Sequence, residues 1–454
     1  MFTAADARRW VLFLPQGLFD DAPVGGNDLV GIQLNRGHDQ QPEWTSFSPA
    51  YRALYAPEAV RAALAGDPRH AQARLHDIGD LRQRLTRQPN VTVATACIVT
   101  PAGCDAIDLR EHSTAPLASD ATALRLQLRL TDRGLGVGNI DVFVNGRNVG
   151  RSPPPAMQNG AAETTVTVPL DPEQDTVQLR AYDQGGDVFA ETAALSLRGA
   201  ATPRSMGRLF VLAIGIDHFA APGLTLNYGV ADATAFADTV KRAGASLFPS
   251  VEVTLLTNAQ ATKARVLAVF DRLAQEVRPE DTFLFYVASH GVRMSDGRFL
   301  LIPQDISDVS SWDAVAQQAI DETLLVNALS RVRARDSLLF LDTRHSGAVT
   351  ADALANVGHE TGRYLPAASS SVQEALDSYD NHNGVFVYAV REGFEGRAPH
   401  ASDNLITALS LGEYVSERVG VLARRRGHDQ DAVFKAAQSE LRSFPLGMVV
   451  SAGP

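Results

Sequence analysis

Phe285-Tyr286-Val287-Ala288-Ser289-His290-Gly291 and Leu338-Leu339-Phe340-Leu341-Asp342-Thr343-Arg344-His345-Ser346-Gly347 share one layout: an apolar run that stops abruptly at polar, chemistry-bearing residues. A run with no polar alternation predicts a strand buried on both faces, as in a parallel sheet. Two earlier runs, Leu209 to Ile216 and Val253 to Leu256, have the same character. Helical periodicity fills the gaps, at Ala231 to Ala243, Thr262 to Val277 and Glu322 to Val332. Strand and helix in alternation imply right-handed crossovers and an α/β sheet with helices on both faces. Sites in such sheets form at the carboxyl ends of strands, so the residues there are the first candidates.

Taken alone, His290 reads first as a strand-end histidine hydrogen-bonded in the core. Its neighbours change the reading. His290-Gly291 at one strand end, with Asp342-Thr343-Arg344-His345-Ser346-Gly347 at the next, resembles the catalytic dyad of the caspase and metacaspase family. That resemblance implies a caspase-like sheet with His290 as general base, position 344 as nucleophile and the Gly291 N–H as a donor to the oxyanion. Neighbouring strands lie ~4.8 Å apart, so side chains at their ends are within reach of each other. Tyr228-Gly229-Val230-Ala231-Asp232-Ala233 is similar to the stretch that opens the family's first helix. By that resemblance Asp232 and Asp342 line a pocket for a basic side chain, and the implied activity is cleavage after Arg or Lys in a protein or peptide, with no cofactor. Ser369-Ser370-Ser371, followed by Gln373-Glu374, matches a family segment expected to border the substrate groove, with Ser369 as a substrate-binding candidate. Asn383 to Ala389 and Val433 to Gln438 resemble small-subunit segments of bacterial fusion proteins, in which a sandwich spacer and a β-propeller precede the caspase-like domain. Residues 1 to 45 resemble the junction after such a propeller.

One position departs from the family: Arg344 stands where the nucleophilic Cys belongs. A thiol attacks as thiolate, whereas a guanidinium is permanently protonated and offers no lone pair. Activity is therefore expected to be absent or severely reduced, leaving a peptide-binding or regulatory scaffold as the other reading. Ser289 adjoins His290 in an extended segment and should point to the opposite face, and Ser346 lies two residues beyond the slot, so neither serine suits as a replacement. Arg344 could fold over Asp342 and Asp232 and plug the acidic pocket, or point to solvent. His345 is expected to shape the following turn, and Asp342 also suits a helix cap. Asp403 to Ser410 resembles the remnant of a calcium loop, but Pro399, Ala401 and Ser410 hold its ligand positions, so no calcium is expected.

The remaining chain divides into modules. Residues 1–90 read as an N-terminal connecting module: a hairpin-like start at Trp10 to Phe19, then helical runs from Ala50 to Leu64 and from His70 to Leu85. Residues 91–200 read as a small β-sandwich spacer of immunoglobulin-like type, since Leu124, Leu126, Leu128 and Leu130 alternate with polar residues and Asn145-Gly146 is a hairpin turn signal. Residues 205–454 read as one α/β domain, the part that resembles the caspase family. Ala348 to Gly362 and Asp377 to Asn383 read as polar, turn-rich loops. The 454 residues carry 41 basic and 52 acidic side chains, a net charge of −11, which disfavours nucleic acid and anionic membrane as partners. No apolar stretch is long enough for a spanning helix or a signal-peptide core, and a cytoplasmic location is expected. Cys97 and Cys104 are too few for a disulfide framework but leave one hairpin bridge open.

Overall fold

The computed structural model describes the chain apart from residues 6–7, 36–37, 40, 110–113, 118–119, 171–174, 200–205, 295–296, 345–350, 370–377, 401, 429, 436–442 and 451–454. The chain forms two compact units divided between Pro203 and Arg204.

The first unit opens with strand Trp10–Phe13 paired antiparallel to Phe19–Asp21, the expected hairpin. Each of the two long helical runs is broken. Tyr51–Leu54 and Pro57–Leu64 are separate helices because Pro57 takes the first-turn position, where its missing N–H is harmless. Arg69–Ile78 and Leu81–Arg87 part at Gly79, which ends the first helix at a φ of +69°. The following strands form two sheets around one core, with Leu124, Leu126, Leu128 and Leu130 of strand Ala123–Thr131 facing Val142, Val144, Val177 and Leu179. Asn145 and Gly146 both take positive φ, at +51° and +79°, in the turn between Ile140–Val144 and Arg147–Ser152. An ion pair between Arg84 and Asp187 joins the last helix of the opening segment to the sandwich. Cys97 and Cys104 are joined by a disulfide across the hairpin of Asn90–Thr100 and Gly103–Ala106.

In the second unit we label β1 (Leu209–Gly215), α1 (Gly229–Gly244), β2 (Val251–Thr257), α2 (Lys263–Glu276), β3 (Thr282–Arg293), β4 (Phe299–Leu301), α3 (Glu322–Arg331), β5 (Asp336–Arg344), α4 (Ala351–Thr361), β6 (Leu365–Ser369), α5 (Val385–Glu392), α6 (Ala408–Arg425) and β7 (Asp431–Lys435). The sheet order is β2-β1-β3-β5-β6-β7, with β4 paired to the extended end of β3. Strands β2, β1, β3, β5 and β6 run parallel and β7 antiparallel, so the doubly covered α/β sheet expected from the apolar runs is what forms. One face packs Leu212, Phe285, Leu339 and Leu341 against Phe270 of α2, Leu325 of α3 and Leu354 of α4. The other packs Tyr286 and Phe340 against Phe236 of α1, with Phe386 of α5 edge-on to Phe340. Helix α4 corrects the reading of Ala348 to Gly362 as a loop. Leu354 and Val357, one turn apart, are fully buried in the core, and their stripe is diluted in sequence by Ala, Asn and Gly. Among the described residues, no helix is long and apolar enough to cross a membrane.

Two glycines set how closely α1 approaches the sheet. A Cβ on Gly215, at the end of β1, would lie 2.3 Å from the Gly229 carbonyl oxygen, and one on Gly229 would lie 2.7 Å from that of Ile216. Gly215→Ala is therefore expected to destabilise the second unit by about 1–3 kcal/mol through overpacking. Gly150→Ala, where nothing lies within 4 Å, is the control. Urea midpoints that match for the two variants would show that α1 is free to shift away.

Candidate active site at the carboxyl edge of the sheet

The site is assembled by register. Parallel pairing of β3 with β5 sets Tyr286 opposite Phe340, Ala288 opposite Asp342 and His290 opposite Arg344. On a pleated strand alternate residues share a face, so Tyr286 and His290 lie on the α1 side together, as do Phe340 and Asp342. His290 is 4% exposed, its ring 5.0 Å from that of Phe219. Its main-chain carbonyl accepts from Ile302 N at 3.0 Å, which anchors the β3 extension to the segment after β4. Gly291 pairs with Leu301 of β4, and a Cβ there would lie 2.9 Å from Phe299 Cε2 and from Thr343 Cβ. Arg293, at the end of β3, pairs at 3.5 Å with Asp352 in the first turn of α4, linking the histidine strand to the helix that follows position 344.

Both candidate pocket carboxylates are buried, Asp232 at 0% and Asp342 at 1% exposure. Asp342 accepts a hydrogen bond from the Tyr286 hydroxyl at 3.1 Å. Asp232 sits in the first turn of α1, one turn before Phe236, whose ring stacks on Tyr286 at 4.6 Å. Asp232 Oδ1 accepts from Asn383 Nδ2 at 3.1 Å and from Gly384 N at 2.9 Å. The start of α1 is fixed by Asp217, whose Oδ1 accepts from Gly229 N at 2.7 Å and Val230 N at 3.3 Å. Asn258 in turn accepts from the Asp217 and His218 main-chain N–H groups, tying this loop to the end of β2. A carboxylate held by directed N–H donors keeps its aim, which is what recognition of a cation requires.

Ser289 is fully buried and its hydroxyl donates to the Ile302 carbonyl oxygen at 2.7 Å, which takes it out of contention as a nucleophile. The side chains of Arg344 and Ser369, together with His345, Ser346, Ser370, Ser371, Gln373 and Glu374, lie outside the described residues; so does the choice between an Arg344 that plugs the pocket and one that points to solvent. Backbone register alone is given for Ser369, opposite Asp431 of β7. Ala401 of the calcium-loop remnant is also outside, while Ser410 belongs to a capping box with Thr407 at the start of α6. Among the described residues no group of three or more His, Cys, Asp or Glu side chains could hold a metal ion.

Sequence reasoning missed Tyr286, Asp217 and Asn383 as parts of this arrangement. In sequence Tyr286 is indistinguishable from the apolar residues of its strand. Asp217 follows directly on the β1 run, at the strand end where such reasoning looks first. Asn383 lies within the longer stretch Asn383 to Ala389, whose similarity to small-subunit segments assigns it no role.

A family model described as the caspase domain matches residues 208–438. No curated protein matches. Among solved structures, a structural-genomics protein of Geobacter sulfurreducens is 18% identical over 51% of this chain and 94% of that chain, with a TM-score of 0.36. A lytic polysaccharide monooxygenase of Jonesia denitrificans is 14% identical over 19% of this chain and 58% of that one, with a TM-score of 0.15.

Proposed function

The chain belongs to the caspase-domain family, and from that membership we propose that its second unit is a cysteine-endopeptidase scaffold specific for Arg or Lys, silenced by Arg344. The observation that carries the proposal is the register of His290 against position 344. Adjacent positions on parallel neighbours are separated by ~4.8 Å, so a thiolate at 344 would lie within reach of the imidazole across one strand spacing. In that arrangement His290 takes the thiol proton, the sulfur attacks the scissile carbonyl, and His290 returns the proton to the leaving amine. The Gly291 N–H would meet the oxyanion, and the Asp232 and Asp342 carboxylates would receive the basic side chain. Ser369 would border the groove. With Arg344 in place the first step has no electron pair to start from, so the chain as written binds peptides without cutting them, as a regulatory or scaffolding domain would. Incubation with Arg-containing peptides, with and without Arg344→Cys, tests the reading. Turnover confined to the substituted protein supports it, and equal turnover in both removes the assigned nucleophile.

The Cys97–Cys104 bridge supports an oxidising compartment over the cytoplasm expected from the apolar profile, because cytosolic thiol buffers keep such pairs reduced. Alkylation of the unfolded, unreduced protein is expected to label neither cysteine until a reductant is added; labelling without reductant would restore the cytoplasmic assignment.

A further inference from the structure

We propose that Asn383 is a positioning residue for Asp232, and that Arg391 sets which way its amide faces. An amide side chain has a donor end and an acceptor end, and only the donor end is useful to a carboxylate. Arg391 donates from a guanidinium nitrogen to Asn383 Oδ1 at 2.8 Å, which turns Nδ2 toward Asp232 Oδ1 at 3.1 Å. Rotating the amide by half a turn would set oxygen against carboxylate on one side and N–H against guanidinium on the other, so the two charged neighbours enforce one orientation.

The loop that carries Asn383 is itself held by local bonds. Asp380 Oδ1 accepts from the main-chain N–H of His382 at 2.9 Å and of Asn383 at 2.7 Å. Asn381 supplies the turn with a φ of +66°, a conformation asparagine tolerates better than most residues. Tyr379 N donates to the Asn383 carbonyl oxygen at 2.8 Å, closing the loop, and the next residue, Gly384, adds its own N–H to Asp232. Asn383 is 4% exposed and Arg391 lies on α5, two turns on. The order of control thus runs from Arg391 to Asn383 to Asp232, and through Asp232 to the cation of the substrate. This inference rests on the proposed reading of Asp232 as a pocket carboxylate.

The test uses the full chain carrying Arg344→Cys and two peptides that differ only in Arg or citrulline at the cleaved position. Asn383→Ala is expected to raise KM for the Arg peptide by about 10- to 100-fold, the weight of a charge-assisted hydrogen bond, with kcat and the citrulline peptide little changed. Asp232→Asn is the reference for complete loss of the pocket charge. Arg391→Ala should reproduce part of the Asn383→Ala effect, and Arg391→Lys, which keeps a cationic donor, should recover some of it. If Asp232→Asn abolishes the preference for Arg over citrulline and Asn383→Ala leaves it intact, the positioning role is overturned while the pocket reading stands. If the parent shows no such preference the pocket reading fails and the positioning role with it. If it shows no turnover the dyad reading fails, and the same comparison is then read from the affinities of the two peptides, where equal binding by the parent and by Asn383→Ala overturns the positioning role. Equal losses on both peptides would make Asn383 a structural residue only and likewise overturn the proposal.

Discussion

Arg344→Cys is expected to raise the cleavage rate of Arg-containing peptides by at least about 10³-fold, a modest share of the ~10⁶-fold that a hydrolase loses with its nucleophile. The expectation follows from how little else must change. The strand that carries position 344 pairs with β3 over nine consecutive residues, from Thr282 opposite Asp336 to His290 opposite Arg344, so the backbone of the dyad does not depend on the side chain at 344. A second substitution checks the assignment of the base. In the Arg344→Cys protein, His290→Ala should lower kcat by about 10²- to 10⁴-fold, the range for loss of a positioned general base. Should the double variant cleave as fast as Arg344→Cys alone, the thiol would be acting without the imidazole and the register would have no catalytic meaning. A steady Arg344→Cys baseline equal to the parent would mean that the cationic side chain is not what silences the site.

The parts of this arrangement that were legible in the sequence are those that solvent exclusion dictates. Leu209 to Gly215 and Leu338 to Leu341 admit no polar alternation because both faces of the sheet are covered, and that pattern announces a parallel strand in one dimension. His290 and Asp342 were legible because they interrupt such runs at their carboxyl ends. Tyr286 was not, since its ring satisfies the apolar pattern while its hydroxyl reaches Asp342 on the neighbouring strand. Asn383 lies 151 positions from Asp232 along the chain, a separation over which sequence spacing carries no distance information. Helix α4 was hidden for another reason: with Ala353, Leu354, Ala355 and Val357 all buried, it has small residues in place of a clear stripe. The broken helices of the first unit show the opposite error, an apolar period read straight through Pro57 and Gly79 although each supplies a stop that backbone geometry enforces.

Phe236→Ala is expected to destabilise the second unit by about 3–5 kcal/mol, the usual loss for truncating a buried aromatic side chain. Phe236 is fully buried on α1, its ring stacked on Tyr286 at 4.6 Å and edge-on to Phe340 at 4.8 Å, and Phe340 meets Phe386 of α5 at 6.4 Å. This aromatic row is the layer directly beneath the two carboxylates, because Asp232 is one helical turn from Phe236 and Asp342 is two residues from Phe340. Truncation should therefore loosen both arms of the pocket at once, whereas Phe236→Leu keeps most of the volume and should lose about 1–2 kcal/mol. Tyr286→Phe separates packing from hydrogen bonding: the ring remains and only the donor to Asp342 goes, at about 1 kcal/mol or somewhat more for a charged acceptor. A double-mutant cycle between Phe236→Leu and Tyr286→Phe, read from urea unfolding, should give a coupling of about 0.5 kcal/mol or more, since the residues touch. Additivity within error, with Phe236→Ala below about 1.5 kcal/mol, would mean that α1 is held by its Gly229 approach and the Asp217 cap alone, because a loss that small leaves nothing for the stack to contribute.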